Sequence, residues 1–300
     1  MFETPILFLI FNREDTTRQV FEAIRRQKPK YLFIAADGAR KNKPGEIETC
    51  VRVRDIVTQI DWDCELKTLF REENLGCKIA VSKAITWFFE QVEQGIILED
   101  DCLPDPSFFT YCEELLLRYK DDDRIGHISG NCFNPHLIPK ELSYDFCSFS
   151  HIWGWATWKR VWKNYDVNFS YWTESQKNKN RSLFKNFREK IYFSSFISDT
   201  LKGKNRINTW DVQYSYMLRV QNQLAIYPAV NLVTNIGLFS ENATHTVSKK
   251  TSKLFVLSKP ILFPLKHPKY FLPNRQIDDW TFKNKYFSWK RLVRYFFNDY

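Results

Sequence analysis

Glycine is scarce in this sequence, and the glycine-rich motifs that commonly hold nucleotide phosphates are missing. The 300 residues include nine glycines, and none of them belongs to a G-x-G-x-x-G or a G-x-x-x-x-G-K-[ST] pattern. These absences exclude the two familiar glycine-rich phosphate cradles. If the chain binds a nucleotide, other groups must hold its phosphates.

The cysteines lack the pairing that a disulfide framework or a zinc site requires. There are seven, an odd number, and no C-x-x-C pair occurs among them. This usage is typical of reduced thiols in the cytoplasm. We interpret the cysteines as small buried hydrophobic residues.

Long apolar runs are also missing. The run from Pro5 to Phe11 ends at the polar stretch Asn12 to Asp15, and no run elsewhere reaches the ~18 apolar residues that would cross a bilayer. We therefore expect a cytoplasmic protein that is soluble or peripheral on the inner face of the cell membrane, with the first run forming a buried strand.

What the sequence does have is an uneven distribution of charge. The formal net charge is +9, yet residues 1–248 carry 32 basic and 32 acidic side chains, whereas the segment from Lys249 to the end carries 12 and 3. Proline and aromatic residues are frequent in that segment. The division predicts a neutral domain over residues 1–248 and a basic aromatic tail over residues 249–300.

Short apolar runs alternate with amphipathic ones in the first half, which is typical of parallel strands joined by crossover helices. The predicted strands cover residues 6–11, 31–35, 65–70 and 95–98, and the helices between them cover residues 17–26, 46–60 and 78–91. The sequence therefore predicts an α/β fold around a mostly parallel sheet.

Three consecutive acids, Glu99, Asp100 and Asp101, follow the apolar strand at residues 95–98. Open α/β sheets bind ligands at the carboxyl ends of their strands, and crowded carboxylates are readily tolerated around a divalent cation that bridges them to phosphate oxygens. A solvated acidic loop is the alternative. It is our interpretation of the second acidic run, residues 121–123, which precedes a strand and so belongs at the opposite edge of the sheet.

Several blocks of the sequence resemble the GT-A family of nucleotide-sugar-dependent glycosyltransferases, in particular the inverting N-acetylglucosaminyltransferase I-like enzymes and their bacterial relatives. The most specific block is GIILEDDCLPDPSFFTY at residues 95–111. Shorter matches are Phe11-Asn12-Arg13, Asp37-Gly38, Asn74-Leu75-Gly76, Trp153-Gly154-Trp155, Trp210-Asp211 and Asn235-Ile236-Gly237 with His245. The resemblance covers roughly residues 4–246. It implies a three-layer αβα sandwich in which about residues 1–130 bind nucleotide and metal and about residues 131–248 bind the acceptor.

The resemblance also implies roles for the acidic triplet. Asp101 would bind Mn²⁺ or Mg²⁺ directly, Asp100 would contact the ribose or the donor sugar, and Glu99 would support the site. His245, in a late polar loop, would be a further metal or diphosphate ligand, with an incidental loop histidine as the alternative.

Three residues of the first half would bind the donor nucleotide according to the same resemblance. Arg13 would contact the nucleotide, and Asp37 would accept a hydrogen bond from the base. A solvent-facing charge and a turn residue are the respective alternatives. Asn74 would cap the following helix and could also contact the donor.

Trp153, Gly154 and Trp155 would form a sugar site, because an indole can face a sugar ring while glycine lets the backbone approach closely. Trp210 would also contact substrate. The next residue, Asp211, is the candidate general base at the start of a predicted helix, where the macrodipole favours a carboxylate.

A helix cap is the alternative for Asp211. The family carries a second Asp where this sequence has Val212, and that departure leaves the assignment of the base open.

The final residues have a basic and an aromatic side. Trp289, Leu292, Val293 and Phe296 share one helical face, which suits the surface of an anionic membrane. Packing of this helix on the domain is the alternative.

Together these features predict a metal-dependent inverting glycosyltransferase. It would move a sugar from a nucleotide-diphosphate sugar, a UDP-sugar being the expected donor, to a hydroxyl of a glycan or lipid-linked glycan in cell-surface polysaccharide synthesis. No nucleic-acid-binding motif is present, so we expect no nucleic-acid partner. The alternatives are a non-catalytic glycan- or nucleic-acid-binding protein and a nucleotide-sugar nucleotidyltransferase, although the latter normally has a glycine-rich loop with Arg and Lys where this sequence has Phe11-Asn12-Arg13.

Overall fold

The computed structural model describes residues 2–170, 172, 187–201, 208–239 and 255–286. Within these ranges the chain forms an eight-stranded sheet and a two-stranded sheet. His245 lies outside the described residues, as do Trp289, Leu292, Val293 and Phe296, so the predictions made for them stay predictions.

The first half alternates strands and helices as the sequence predicts. Its elements are β1 (Ile6–Ile10), α1 (Glu14–Gln27), β2 (Tyr31–Ala36), α2 (Glu46–Thr58), β3 (Glu65–Phe70), α3 (Gly76–Phe89), β4 (Gln94–Glu99), β5 (Cys102–Pro104) and α4 (Ser107–Arg118). Strands β1 to β4 pair in parallel in the order β3-β2-β1-β4.

The second half extends this sheet and adds antiparallel strands. Its elements are β6 (Ile125–Ser129), β7 (Tyr144–Cys147), β8 (Trp155–Trp158), α5 (Lys159–Trp162), α6 (Phe187–Leu201), α7 (Asp211–Val220), β9 (Leu224–Pro228) and β10 (Val233–Asn235). The sheet continues from β4 in the order β8-β6-β9-β7, with β7 and β8 running against the other strands. The fold is therefore mixed α/β around a large, mostly parallel sheet with flanking helices, which confirms the predicted fold class.

The two central parallel strands are buried on both faces. Ile6, Leu7 and Phe8 of β1 and residues 96–98 of β4 are fully buried, as expected for continuous apolar strands covered by helices. Each such side chain contributes ~1.5–3 kcal/mol when it is fully buried. Strands β1 and β4 are therefore firmly held where they deliver their carboxyl ends to the same edge of the sheet.

A small antiparallel ribbon closes over that edge. Strand β10 pairs with β5, and just beyond the pair the backbone N–H of Ile236 donates to the carbonyl of Asp101 at 2.8 Å. Gly237 follows, and a Cβ atom on it would lie 2.6 Å from Asp101 Oδ2. The ribbon thus holds the Asn235-Ile236-Gly237 motif against the acidic triplet.

Much of the segment predicted as a tail packs on the domain. Ile261 and Leu265 are buried in its hydrophobic core, and residues 275–281 form helix α8 (Arg275–Thr281), which continues into a π-helical turn, Phe282–Tyr286. The side chain of Asn274 caps α8 by accepting from the backbone N–H of Gln276 at 3.0 Å. Within the described ranges, no helix is both long and apolar enough to cross a membrane.

Candidate functional site

An ion-paired cluster lies where β1 and β4 end. Arg13, the residue before α1, donates from Nη1 to Asp100 Oδ1 at 3.2 Å and to Asp101 Oδ2 at 2.7 Å. The backbone N–H of Phe11 donates to Asp100 Oδ2 at 3.2 Å. Because β1 and β4 are neighbours in the sheet, with Leu9 opposite Glu99, residues far apart in the sequence meet at one edge.

The carboxylates of the cluster are held in an environment that opposes their charge. Burial raises the pKa of Glu99 and of Asp100, and the neighbouring carboxylates, Asp101 first among them, raise both further. Arg13 counteracts this effect. Burial disfavours its own charged form, but the charges of Asp100 and Asp101 outweigh that penalty and raise its pKa. The cluster is therefore a strong attractor of positive charge.

The resemblance to GT-A glycosyltransferases implies a divalent cation at the acidic cluster. Among the described residues, no group of three or more His, Cys, Asp or Glu side chains could hold a metal ion. The Arg13 guanidinium nevertheless marks a position where Asp100 and Asp101 together hold a cation. Mg²⁺ is commonly bound by one or two carboxylates plus substrate phosphates. The two aspartates fit a cation that is shared with phosphates, and not one held by these protein ligands alone.

The run at residues 121–123 lies between α4 and β6, at the amino end of a strand that runs parallel to β1 and β4. It therefore lies at the opposite edge of the sheet, as predicted. Asp122 is engaged by Arg124 in an ion pair at 2.7 Å.

Asp37 and Asn74 connect the loops after β2 and β3. The carboxylate of Asp37 accepts from the backbone N–H of Leu75 at 3.0 Å and from that of Gly76 at 3.0 Å. Asn74 donates from Nδ2 to the carbonyl of Gly38 at 2.7 Å. The prediction that Asn74 caps α3 is therefore wrong, because the oxygen that satisfies the first amides of this helix comes from Asp37. Binding of a nucleotide base by Asp37 stays a prediction.

Asp211 is the first residue of α7, which confirms that it starts a helix. Thr209 Oγ1 donates a hydrogen bond to its Oδ1. The charge of Asp211 contributes to raising the pKa of Glu99. The candidate base therefore lies within electrostatic reach of the acidic cluster.

Cys77 lies close to both Glu99 and Asp211, since the charges of both affect its pKa. Its side chain is exposed to solvent, yet it lies among enough protein atoms for burial to be the main cause that raises its pKa to about 12, followed by the charges of Glu99, Asp211 and Asp37. Cys77 is also an exception to the prediction of buried cysteines, and Cys64 is half-buried; all seven thiols are free.

Two tryptophans assigned to the sugar site lie in the core. Trp155 and Trp210 are 0% and 1% exposed, and their rings stack at a centroid distance of 5.5 Å. His127 stacks on Trp155 at 5.2 Å. The prediction that Trp155 and Trp210 contact substrate is therefore wrong for this arrangement, because no part of either indole is open to a ligand.

Gly154 is required by the protein itself. Its φ is +63°, and a Cβ atom would lie 2.7 Å from Val233 Cγ2 and 3.2 Å from Leu98 Cδ2. The close approach predicted at this glycine is therefore to protein side chains rather than to a sugar. Trp153 is half-buried and packs edge-to-face on Phe133 at 5.3 Å, so of Trp153, Trp155 and Trp210 only Trp153 is partly exposed.

The packing of the C-terminal segment near Asp211 was not predicted from the sequence. The charge of Asp211 acts to raise the pKa of Lys285, against the lowering caused by burial. The next residue, Tyr286, belongs to the same hydrophobic cluster as Val212. A local signal was present, since Asn274 precedes Ile277 and Trp280 with the spacing of a capped amphipathic helix.

No protein-family model matches the chain, and no curated protein matches it in sequence. Solved structures with a similar arrangement include an apo UDP-glucose pyrophosphorylase, at a TM-score of 0.36 and 8% identity, covering 77% of this chain and 93% of that one. A cytidylyltransferase from Leptospira borgpetersenii has a TM-score of 0.34 and 12% identity, with coverage of 73% and 94%. The 4-diphosphocytidyl-2C-methyl-D-erythritol synthase of Anaerococcus prevotii has a TM-score of 0.33 and 9% identity, with coverage of 64% and 84%. Likeness at this level carries no argument about activity, and the fold class stands on the sheet topology.

Proposed function

We propose that the chain is a transferase that acts on a nucleotide-sugar and, more specifically, an inverting glycosyltransferase. A UDP-sugar is the expected donor, and a hydroxyl of a glycan or lipid-linked glycan is the acceptor. The observation that carries the proposal is the meeting of Arg13 with Asp100 and Asp101 at one edge of the sheet, within electrostatic reach of Asp211. This edge offers a cation for a diphosphate beside a carboxylate that can take a proton.

Arg13 and the acidic pair would bind the donor diphosphate. A guanidinium forms paired, charge-assisted hydrogen bonds with phosphate oxygens, so Arg13 can exchange its carboxylate partners for the diphosphate. Asp100 and Asp101 would then hold Mn²⁺ or Mg²⁺ together with the phosphates. When bound, the ion supplies charge stabilisation to the departing diphosphate.

Asp211 would act as the general base. The hydrogen bond from Thr209 to Oδ1 orients the carboxylate and leaves Oδ2 to accept the proton of an acceptor hydroxyl. The acceptor oxygen forms a bond to the anomeric carbon, the bond from that carbon to the diphosphate breaks, and the proton passes to Asp211. One displacement from the face opposite the leaving group inverts the anomeric centre.

Nucleotidyl transfer is the second candidate. The solved structures named above include a cytidylyltransferase and a UDP-glucose pyrophosphorylase, so of the two reactions this is the one their names describe. It would join a nucleoside triphosphate to a sugar phosphate and release pyrophosphate. The cluster of Arg13, Asp100 and Asp101 also suits the phosphates of this reaction. Nucleotidyl transfer, however, assigns no role to Asp211.

The released product distinguishes the two reactions. The full chain is incubated with Mn²⁺ and a panel of UDP-, GDP-, CMP- and dTDP-sugars, and separately with each nucleoside triphosphate plus glucose 1-phosphate. We expect slow release of UDP and free sugar from a UDP-sugar, and no pyrophosphate from the second set. Pyrophosphate release without donor hydrolysis would establish the second candidate. Absence of both products, with no thermal stabilisation by any nucleotide, would contradict both.

A further inference from the structure

The C-terminal segment, residues 255–286, is fixed to the domain by polar contacts. Asn274 donates from Nδ2 to the carbonyl of Leu137 and to Asp145 Oδ2, each at 3.0 Å. Asp278, which is 1% exposed, accepts from the backbone N–H and the hydroxyl of Ser148 at 2.7 and 2.9 Å. A buried carboxylate bound in this way fixes the position of α8 on the loop after β7.

This attachment places Trp280 in an aromatic cluster. The Trp280 ring stacks on Phe133 at a centroid distance of 6.0 Å and an interplanar angle of 20°, and Phe133 packs edge-to-face on Trp153 at 5.3 Å. All three residues are half-buried, so part of each residue remains exposed to solvent. We call Phe133, Trp153 and Trp280 the aromatic platform. Partly exposed aromatic residues in such a cluster suit contact with the apolar C–H face of a pyranose.

Lys285 lies about one helical turn beyond Trp280. Burial lowers the pKa of its ammonium, and the carboxylate of Asp211 opposes that shift. The next residue along the chain, Tyr286, stacks on Phe149 at 5.4 Å in a hydrophobic cluster that also includes Val212, so this turn of the chain packs on the same cluster as the first turn of α7. The ammonium lies over the Tyr286 ring, 5.4 Å from its centroid, and no hydrogen bond or ion pair of this ammonium is found within the described part of the chain. Lys285 therefore presents a partly buried positive charge near the candidate base.

His151 is a buried histidine beside the aromatic platform. His151 is 1% exposed, and neither of its ring nitrogens has a hydrogen-bond partner among the described residues. Its ring lies 5.4 Å from that of Phe133, and the charge of Lys285 helps to lower its pKa. Because nearly all buried polar groups are paired, an orphaned imidazole at this place indicates that a water molecule or a ligand group completes the site.

We propose that the C-terminal segment builds an acceptor subsite whose ligand is a pyranose that carries an anionic group, either a phosphate or a carboxylate. The aromatic platform holds the C–H face of the sugar, and Lys285 pairs with the anion. A hydroxyl of the bound sugar then faces Asp211. This inference rests on the proposed glycosyl transfer and narrows its acceptor to an acidic saccharide.

The test compares binding of three probes to the full chain: glucose 1-phosphate, glucuronic acid and neutral methyl glucoside. Saturating UDP with Mn²⁺ is present throughout, so that no probe can occupy the donor site, and binding is followed by tryptophan fluorescence and by calorimetry. We expect at least one anionic probe to bind about tenfold more tightly than methyl glucoside, the scale of one charge-assisted hydrogen bond. The tighter of the two anionic probes identifies phosphate or carboxylate as the natural group.

Substitutions test which residues cause the preference for anionic probes. Lys285→Ala should remove the tenfold preference, Lys285→Arg should keep most of it, and Trp280→Leu should weaken all three probes. Lys283→Ala is the matched control, because Lys283 lies on the same turn and is exposed. Trp153→Leu gives a second test of the platform should Trp280→Leu fail to fold, as judged by thermal unfolding.

Equal affinity for the three probes would overturn the inference, and so would a preference that survives Lys285→Ala or an absence of saturable binding at millimolar concentrations. Donor hydrolysis and UDP binding by the unchanged chain report on the proposed function separately. Absence of donor hydrolysis and of binding by every nucleotide, with a retained anion preference, would therefore refute the transferase proposal and leave only a site for acidic saccharides. Donor hydrolysis without anion preference would refute the subsite alone.

Discussion

Arg13 Nη1 lies 2.7 Å from Asp101 Oδ2 and 3.2 Å from Asp100 Oδ1, so one guanidinium neutralises the pair of carboxylates most directly implied in binding a divalent cation. The same two aspartates would repel a diphosphate if they were left without a positive charge. Arg13 pairs with both aspartates in the structure. Under the proposed function it would have to leave these carboxylates in order to bind the phosphates, so it could not do both at once.

Replacing Arg13 by Ala should strengthen binding of Mn²⁺ in the absence of nucleotide and weaken binding of UDP. The cation no longer competes with a guanidinium worth roughly 1.5–3 kcal/mol as a charged hydrogen-bond donor, so we expect about a tenfold lower dissociation constant for Mn²⁺. Electron paramagnetic resonance of free Mn²⁺ and calorimetry with UDP measure the two effects.

Arg52→Ala is the control for this experiment, because Arg52 pairs with Glu14 at 2.8 Å on the exposed surface of α1 and α2. An unchanged Mn²⁺ affinity in Arg13→Ala would contradict competition between the guanidinium and the metal.

Asp37→Ala should destabilise the protein whether or not Asp37 binds a nucleotide. The substitution removes the acceptor of the Leu75 and Gly76 amides at the start of α3. Loss of such a capping carboxylate costs about 1–2 kcal/mol in the free energy of unfolding, which urea denaturation measures. Asp63→Ala, at an exposed position, should change stability little, and equal stability of Asp37→Ala and the unchanged chain would show that the cap is not needed.

The sequence predicts those features that depend on short-range patterns. The continuous apolar run of β4 followed by Glu99, Asp100 and Asp101 suffices to place these acids at a sheet edge, because strand direction and burial follow from the local pattern. The opposite placement of residues 121–123 follows from the same logic.

Features that depend on partners distant in sequence were not predictable in this way. Asn74 precedes α3 and looks like its cap, but the capping oxygen comes from Asp37 on another loop. The indoles of Trp155 and Trp210 could equally line a surface or stack in a core, and only the packing of β8 against α7 decides between these outcomes. The composition of the C-terminal segment suggests a loose tail, whereas Asp278 finds its partners at Ser148.

Gly154→Ala should be far more destabilising than Gly45→Ala. Both glycines have a positive φ, +63° and +76°, but a Cβ atom at Gly154 meets Val233 Cγ2 at 2.7 Å, whereas nothing lies within 4 Å of one at Gly45. Backbone strain of about 1 kcal/mol is common to both, and overpacking adds about 1–3 kcal/mol at Gly154 alone. Urea denaturation of the two variants gives the difference, and equal losses would mean that Val233 moves aside freely.

Asp211→Asn should lower turnover at least about 10²-fold, since the amide has the shape of the carboxylate but cannot take a proton. Transfer to an acceptor should fall more than UDP affinity, because the proposed mechanism assigns the donor diphosphate to Arg13 and the acidic pair and not to Asp211. Asp121→Asn, at an exposed position on the opposite edge, is the control. Full transfer activity in Asp211→Asn would remove Asp211 from the role of base.

His127 should make the protein sensitive to mild acid. It is fully buried, with Nε2 3.0 Å from the carbonyl oxygen of His151, and burial lowers its pKa from 6.5 to about 3. Below pH 6.5 His127 binds a proton in the unfolded chain but stays neutral in the folded protein until the pH approaches 3. The free energy of unfolding therefore falls as the pH falls through this range. The expected loss is roughly 2 kcal/mol between about pH 8 and pH 5. In urea denaturation over this range, the free energy of unfolding should depend less steeply on pH for His127→Phe, which keeps an aromatic ring against Trp155 but cannot titrate. His136→Phe, at an exposed position, should keep the full slope, and an unaltered slope in His127→Phe would mean that His127 is protonated without cost in the folded state.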